Sequence, residues 1–264
     1  MAELVSSIGW ALLVAVLWQT VMFGIAKQLK RVDVVDVGWG LTFIVIAVVT
    51  ATMNFPLNTA AAVVMILVVL WGARLSLSIG RRLIRSASQD PRYTELTKNY
   101  KPTTYWANVY LRIFIVQAVL AVMISLPVVI VMTQQPMWSG WLSAGVIVWI
   151  IGFVCEVVAD AQLRDFLKSA KKDELMNTGL WRYSRHPNYF GEMLMWWGLA
   201  IMSGATAYGW LGVVGALVIT VLLRFVSGVP PAEARAASKR GWKQYKDSTS
   251  VLVPWFKKLV TDNR

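Results

Sequence analysis

The sequence predicts an all-α integral membrane protein with seven transmembrane helices, an external N-terminus and a cytoplasmic C-terminus. Of its 264 residues, 57% are hydrophobic and only 15% are charged, whereas about a quarter are charged in soluble proteins. Its uncharged stretches are long enough to cross a bilayer, which takes about 20 apolar residues in a helix. The 26 lysines and arginines concentrate at one end of the predicted bundle.

Four uncharged stretches carry the spans: 4–26, 37–73, 113–155 and 193–223. The first fits one helix, and each of the others fits two helices with a turn signal between them. The last stretch is short for two, so its first helix is expected to begin near Asn188. The predicted spans are 5–26, 36–54, 58–79, 109–132, 142–162, 188–204 and 209–226, with a cytoplasmic tail over 227–264, in one membrane domain over 1–264.

The positions of the basic residues predict the orientation. They cluster after spans one, three and five and in the tail, whereas the N-terminus and the three opposite loops contain no lysine or arginine. The positive-inside rule places the basic side in the cytoplasm. The net charge of +12 is thereby explained by topology, so nucleic acid is not an expected partner. One histidine and one cysteine exclude a four-ligand zinc site, and no metal site is predicted.

Ionisable residues near span five suggest a functional site, because such groups are costly at membrane depth. Steps of four residues put Glu156, Asp160 and Arg164 on one helical face, where Asp160 and Arg164 can pair. The alternative is a helix end that reaches water and carries a stabilising ion pair. The residues alone leave both interpretations open.

The segment 179–192 holds the only histidine and leads directly into span six. Pro187 suits a helix start, and Asn188, Glu192 and Trp196 then share one face. Arg182, Arg185 and Tyr183 near a helix N-terminus can form a cradle for phosphate or carboxylate. The alternative is a loop that binds lipid headgroups within an aromatic belt, but it leaves the carboxylate of Glu192 inside span six unexplained.

Two aspartates at the start of span two, one arginine of span three and a tail segment are further candidates for a functional role. Asp36, at the start of span two, is a candidate proton donor, whereas Asp33 fits an N-cap. Arg74 stands out among the arginines of span three because it lies closest to the apolar core. The tail segment ending in Val253-Pro254-Trp255 either lies on the membrane surface or folds under the bundle and closes a cytoplasmic pocket.

These motifs together resemble the bacterial DUF1295 family, which is related to the C-terminal domain of steroid 5-alpha-reductases. The resemblance covers about residues 30 to 256. The Arg185-His186-Pro187 loop is also similar to membrane methyltransferases such as isoprenylcysteine carboxyl methyltransferase, which use S-adenosylmethionine. The motifs that carry the resemblance are Asp33–Gly40, Trp71–Leu75, Asp90–Tyr93, Trp181–Glu192 and Thr249–Trp255.

The resemblance implies an NADPH-dependent oxidoreductase acting on CH–CH groups, specifically on a C=C bond conjugated to a carbonyl in a steroid-like lipid that enters from the bilayer. It implies a cofactor site facing the cytoplasm of a bacterial inner membrane. The residues that it places at the cofactor are Asp160, Arg164, Tyr183, Asn188, Tyr189, Glu192 and Trp196, with Arg74 and Arg85 at the phosphates. Arg185 and His186, which the animal reductases lack in this loop, add two cationic groups that suit a phosphate-bearing cofactor or the carboxylate of S-adenosylmethionine.

The catalytic positions that the resemblance implies are Asp36 and Trp71. Asp36 corresponds to a glutamate that engages the substrate carbonyl. Trp71 stands where steroid reductases have a tyrosine, and an indole N–H donates a hydrogen bond but is a poor proton donor. The alternatives are an S-adenosylmethionine-dependent methyltransferase and a non-enzymatic lipid-binding protein. The sequence predicts no oligomeric state.

Overall fold

In a computed structural model, residues 1–169 and 173–257 are described, and the part of the predicted tail over 258–264 lies outside them. The described residues form twelve α-helices and no strand, apart from an isolated parallel bridge between Ser184 and Ser250. The helices are α1 Ala2–Leu29, α2 Val34–Met53, α3 Thr59–Arg85, α4 Pro91–Thr97, α5 Tyr105–Val109, α6 Val116–Ile124, α7 Leu126–Gln134, α8 Gly140–Ser169, α9 Pro187–Ser203, α10 Gly212–Val221, α11 Val229–Ala236 and α12 Trp242–Ser248.

Six helical segments of the described chain are long and apolar enough to cross a membrane, which confirms an all-helical, multi-pass membrane protein. They are Ala2–Leu29, Val34–Met53, Thr59–Arg85, Pro102–Ile124, Gly140–Ser169 and Gly209–Ala236. Helix α9 has 17 residues, just short of that length. The seventh span and the orientation of the termini stay predictions.

The predicted span 109–132 is interrupted. Its helix starts earlier, at Pro102, contains a π-helical stretch at Tyr110–Ile115, and divides into α6 and α7 at Ser125. Pro127 explains the division, because proline lacks the N–H that would continue the helical hydrogen bonds. Helix α3 in turn extends beyond the predicted end at residue 79 and carries Arg85 in its last turn.

The chain forms two compact units, of which the first is Met1–Ser143 with Leu199–Gly215. Its three connections without lysine or arginine meet at one end. Asn58 caps α3 by accepting a hydrogen bond from Ala61 N, and its Nδ2 donates to Gln135 O at 2.6 Å. Gln134 Oε1 accepts from Ala207 N at 3.1 Å. These contacts explain why polar residues occupy the turns between apolar helices: they pair backbone groups that the helices leave open.

The second unit comprises Ala144–Gly198 and the described part of Ala216–Arg264. Its helices α8 and α9 approach each other closely where both carry glycine. A Cβ atom added to Gly152 would lie 2.6 Å from Gly191 O, and one added to Gly198 would lie 2.7 Å from Gly145 O. Small residues at such a crossing let two backbones touch, which is how membrane helices gain packing energy without a hydrophobic driving force.

The variant Gly152→Ala tests this crossing. Its new methyl group meets backbone atoms that cannot move aside, so we expect a loss of about 1–3 kcal/mol of stability. The measurement is thermal unfolding in detergent micelles followed by near-ultraviolet circular dichroism. Gly24→Ala in α1 is the matched control, because nothing lies within 4 Å of its added Cβ. A lower Tm in both variants, or in neither, would contradict the crossing.

Candidate functional site

The C-terminal segment of the second unit is fastened to the loop before α9 by Arg185. The Nε and Nη2 atoms of Arg185 each lie 2.8 Å from Glu233 Oε1. Its Nη1 donates to the carbonyls of Lys246 and Thr249, the latter at 3.1 Å. The Arg185 backbone N–H donates to Ser250 O at 2.8 Å. Arg185 is 7% exposed, and Glu233 neutralises its charge inside the protein. We name Arg185, Glu233, Thr249 and Tyr245 the tail clasp.

Tyr245 connects the tail clasp to α8. Its hydroxyl donates to Trp181 O at 2.6 Å, and the indole of Trp181 donates to Ala159 O at 3.1 Å. Burial raises the pKa of Tyr245, so the hydroxyl keeps its proton and acts as a donor. Further along, Trp255 N donates to Tyr183 O at 3.0 Å. The tail is therefore folded against the loop 181–185.

His186 is buried beside the tail clasp. Its ring stacks on Tyr189 at 5.4 Å between centroids, and its Nε2 lies 3.5 Å from Glu233 Oε1. Burial lowers the pKa of His186 to about 4, although the charge of Glu233 partly opposes this. The imidazole is therefore neutral at pH 7. Neither Arg185 nor His186 offers the free positive charge that the predicted anion cradle would use.

The first turn of α9 brings together two acceptor groups. Asn188 Nδ2 donates to Asp160 Oδ1 of α8 at 3.2 Å. Asn188 Oδ1 is buried and has no hydrogen-bond partner among the described residues. A buried amide oxygen in this state costs free energy unless a donor reaches it. Asn188 and Asp160 form what we name the acceptor pair.

The other predicted site residues of this unit lie on α8, on α9 or in the loop before α9. Glu192 and Trp196 follow Asn188 on α9 and are buried, as is Glu156 on α8. Tyr189 is half-buried and stacks on His186. Arg164 and Tyr183 are exposed, as is Arg182, whose guanidinium lies 5.9 Å from the centre of the Tyr183 ring.

Tyr245 also lines a cleft of about 550 Å³, which is within the range of small-molecule sites. Arg240, Gln244, Ser248 and Lys257 line the same cleft. The tail clasp therefore forms part of its wall.

In the first unit, Asp36 is held by two residues of the segment 90–93. Tyr93 Oη donates to Asp36 Oδ1 at 2.5 Å, and Arg92 Nη2 lies 2.7 Å from Asp36 Oδ2. Burial and the charge of Asp36 raise the pKa of Tyr93 well above its usual value, so the phenol stays protonated. Burial alone would lower the pKa of Arg92, but hydrogen bonding to Asp90 and the charge of Asp36 raise it.

Asp33 is paired with Arg31. Arg31 Nη2 lies 2.8 Å from Asp33 Oδ2, and Asp90 N donates to the same oxygen at 2.9 Å. Asp33 occupies the N-cap position of α2, as predicted, but its side chain makes no capping hydrogen bond. The carboxylate binds Arg31 and the segment 90–93 instead. A cleft of about 160 Å³ lies beside Asp33, Asp36 and Arg82.

The remaining predicted residues of this unit lie on α3. Trp71 is 2% exposed, with its ring 5.2 Å from that of Phe43 in an edge-to-face contact. Arg74 is half-buried, and Arg85 is exposed in the last turn. Sequence reasoning missed the roles of Arg92, Tyr93 and Glu233. The Asp90–Tyr93 motif was a signal for the first two, whereas Glu233 stood in a tail segment without a decisive pattern.

The chain is similar to proteins of one family. A family model described as "Protein of unknown function (DUF1295)" matches residues 22–249. The chain belongs to the DUF1295 family. This DUF1295 protein is 25% identical to the Uncharacterized protein C594.04c of Schizosaccharomyces pombe, over 77% of this chain and 69% of that protein. No solved structure shows significant similarity to it. The predicted relation to steroid reductases and the predicted bacterial origin stay predictions.

Glu233→Gln tests the tail clasp. The variant leaves the charge of Arg185 buried without its counter-ion, which costs about 3–5 kcal/mol. We expect a lower Tm and faster amide hydrogen exchange over 242–250. The matched control is Glu95→Gln, which breaks the exposed pair of Glu95 with Lys98 and should change neither, because such surface pairs contribute little. Unchanged exchange over 242–250 would show that the tail is held by other contacts.

Proposed function

We propose that this DUF1295 protein is a membrane-embedded, NADPH-dependent reductase of a C=C bond conjugated to a carbonyl in a lipophilic, steroid-like substrate. The observation that carries the proposal is the acceptor pair. Asn188 Oδ1 is a buried acceptor without a donor among the described residues, and it lies on the same amide as the nitrogen bonded to Asp160. The site therefore suits a ligand group that presents N–H donors.

The carboxamide of nicotinamide is such a group. Its NH₂ offers two hydrogens, one of which can bond to Asn188 Oδ1. When bound, NADPH supplies the hydride. In this proposal Asn188 and Asp160 orient the ring, and Tyr189, Glu192 and Trp196 continue the site along α9. The exposed Arg164 offers a cation for phosphate oxygens.

The Asp36–Tyr93 contact supports a carbonyl-polarising role for the start of α2. The resemblance to steroid reductases implies an acidic group paired with a tyrosine, and Tyr93 stands 2.5 Å from Asp36. Its raised pKa keeps a proton on the phenol, and Arg92 compensates the charge of Asp36. In this proposal Tyr93 supplies the hydroxyl that Trp71 lacks. Trp71 then has a packing role against Phe43.

The methyltransferase alternative is less well supported. The shared loop would have to bind the carboxylate of S-adenosylmethionine through Arg185. The guanidinium of Arg185 is bound to Glu233 and to two backbone carbonyls, so its charge is already compensated within the protein. The lipid-binding alternative does not explain why Asn188 Oδ1 is buried without a donor among the described residues.

We further propose that α9 is the seventh crossing and that the basic ends of the helices face the cytoplasm, in a bacterial inner membrane. The 17 residues of α9 give a length of about 26 Å at 1.5 Å per residue. That is close to the ~30 Å hydrocarbon thickness, and 17 residues is the lower limit of observed spans. The acceptor pair, in the first turn of α9, would then face the cytoplasm.

NADPH binding to the purified protein in lipid nanodiscs tests the proposal. We expect NADPH to bind, S-adenosylmethionine not to bind, and Asn188→Ala to weaken NADPH binding about tenfold, as expected for loss of a hydrogen bond worth ~1.4 kcal/mol.

Asn108→Ala is the matched control, because Asn108 bonds only to Thr104 among the described residues. It should bind NADPH as the wild type does. Binding of S-adenosylmethionine in place of NADPH would favour the methyltransferase alternative. Binding of neither would favour the lipid-binding alternative.

A further inference from the structure

The end of the described tail exposes large apolar side chains. Val253 is 55% exposed, Trp255 67% and Phe256 77%. All three lie within four positions of the chain, and exposed apolar surfaces mark interaction sites when polar residues rim them. Their exposure in water would be unfavourable, so a partner of matching chemistry is required.

These side chains are held in place by the loop before α9. Trp255 N donates to Tyr183 O at 3.0 Å, and the rings of Phe256 and Tyr183 meet edge to face at 6.3 Å. Just before them, Leu252 is 7% exposed and Thr249 is 4% exposed. The backbone of this segment is therefore docked while its apolar side chains point away from the protein.

The docking site lies next to a membrane-spanning helix. Trp181 donates to Ala159 O of α8, and α8 belongs to a span. Tyr183 is two residues from Trp181, which is at most about 7 Å of extended chain. The polar layer on each side of the hydrocarbon core is about 5–8 Å thick. The exposed aromatic residues are therefore within reach of the lipid headgroups.

Two cations flank the aromatic residues. The guanidinium of Arg182 lies 5.9 Å from the centre of the Tyr183 ring, and Lys257 is exposed directly after Phe256. Tryptophan and tyrosine favour the membrane–water interface, and lysine and arginine beside it are attracted to anionic lipids. Arg185 does not contribute, because Glu233 neutralises it.

We propose that Tyr183, Val253, Trp255 and Phe256, with Arg182 and Lys257, form an interfacial anchor that inserts into a leaflet containing anionic phospholipid. The anchor combines the two alternatives for the tail, namely a tail on the membrane surface and a tail folded against the protein. Its backbone closes against the loop before α9, and its side chains lie in the membrane surface. The anchor does not depend on the proposed reductase activity.

A single fluorophore tests the anchor, because Cys155 is the only cysteine of the chain. In a Cys155→Ala background, the label is attached at Val253→Cys or, as a matched control, at Lys243→Cys, an exposed position on α12. Each full-length protein is placed in nanodiscs of phosphatidylcholine, with or without phosphatidylglycerol. Quenching by brominated phosphatidylcholine then reports contact of the label with lipid.

We expect the label at 253 to be quenched and the label at 243 not to be. Phosphatidylglycerol should increase quenching at 253, and potassium chloride should remove that increase by screening. The pair Arg182→Gln and Lys257→Gln should abolish the increase but keep the quenching in phosphatidylcholine. The pair Trp255→Ser and Phe256→Ser should lower quenching to the level of the control.

Two results would overturn the anchor. Quenching at 253 no stronger than at 243 would exclude insertion. If the label at 253 were then also protected from aqueous iodide, a protein surface would be the partner instead. Quenching at 253 that is the same with and without phosphatidylglycerol would exclude the role of the two cations in recognising anionic lipid.

Discussion

The ion pair between Arg185 and Glu233 is the contact on which the second unit depends. A buried arginine without a counter-ion would cost several kcal/mol, so the loop before α9 and α11 must stay together. The same guanidinium binds carbonyls of α12 and of the segment after it. One side chain therefore fixes the tail, and through Tyr245 and Trp181 the tail is connected to α8. These contacts hold the loop that leads into α9.

The same contacts reduce the positive charge near the start of α9. Because Glu233 neutralises Arg185 and burial keeps His186 uncharged, the loop carries less positive charge inside the protein than its residue types suggest. In the proposed site, the acceptors on α9 and α8 are Asn188 Oδ1 and the carboxylate of Asp160. A site of this kind selects ligands by their N–H and O–H groups. Anionic parts of a ligand must instead meet exposed arginines.

Sequence reasoning succeeded where the signal is local. Long apolar stretches predicted the spanning helices, and Asn54, Gln135 and Ser203 marked turns because helices end where polar residues can pair the last backbone groups. Pro187 predicted the start of α9. Pairings between distant residues were not predictable: Glu233 is 48 residues from Arg185, and Tyr93 is 57 from Asp36. No periodicity encodes such contacts, since they depend on tertiary packing. For the same reason, the sequence did not predict that Arg185 in the loop before α9 is paired with Glu233.

Transfer of an isotopically labelled hydride tests the central claim most directly. The protein in nanodiscs is supplied with NADPH deuterated at the reactive nicotinamide carbon and with a panel of steroid-like enones, and the lipids are analysed by mass spectrometry. The account predicts a saturated product that carries one deuterium on the carbon beta to the carbonyl, and no such product from the Tyr93→Phe variant. Unchanged enones throughout the panel, together with a lipid that gains a methyl group from S-adenosylmethionine, would contradict it.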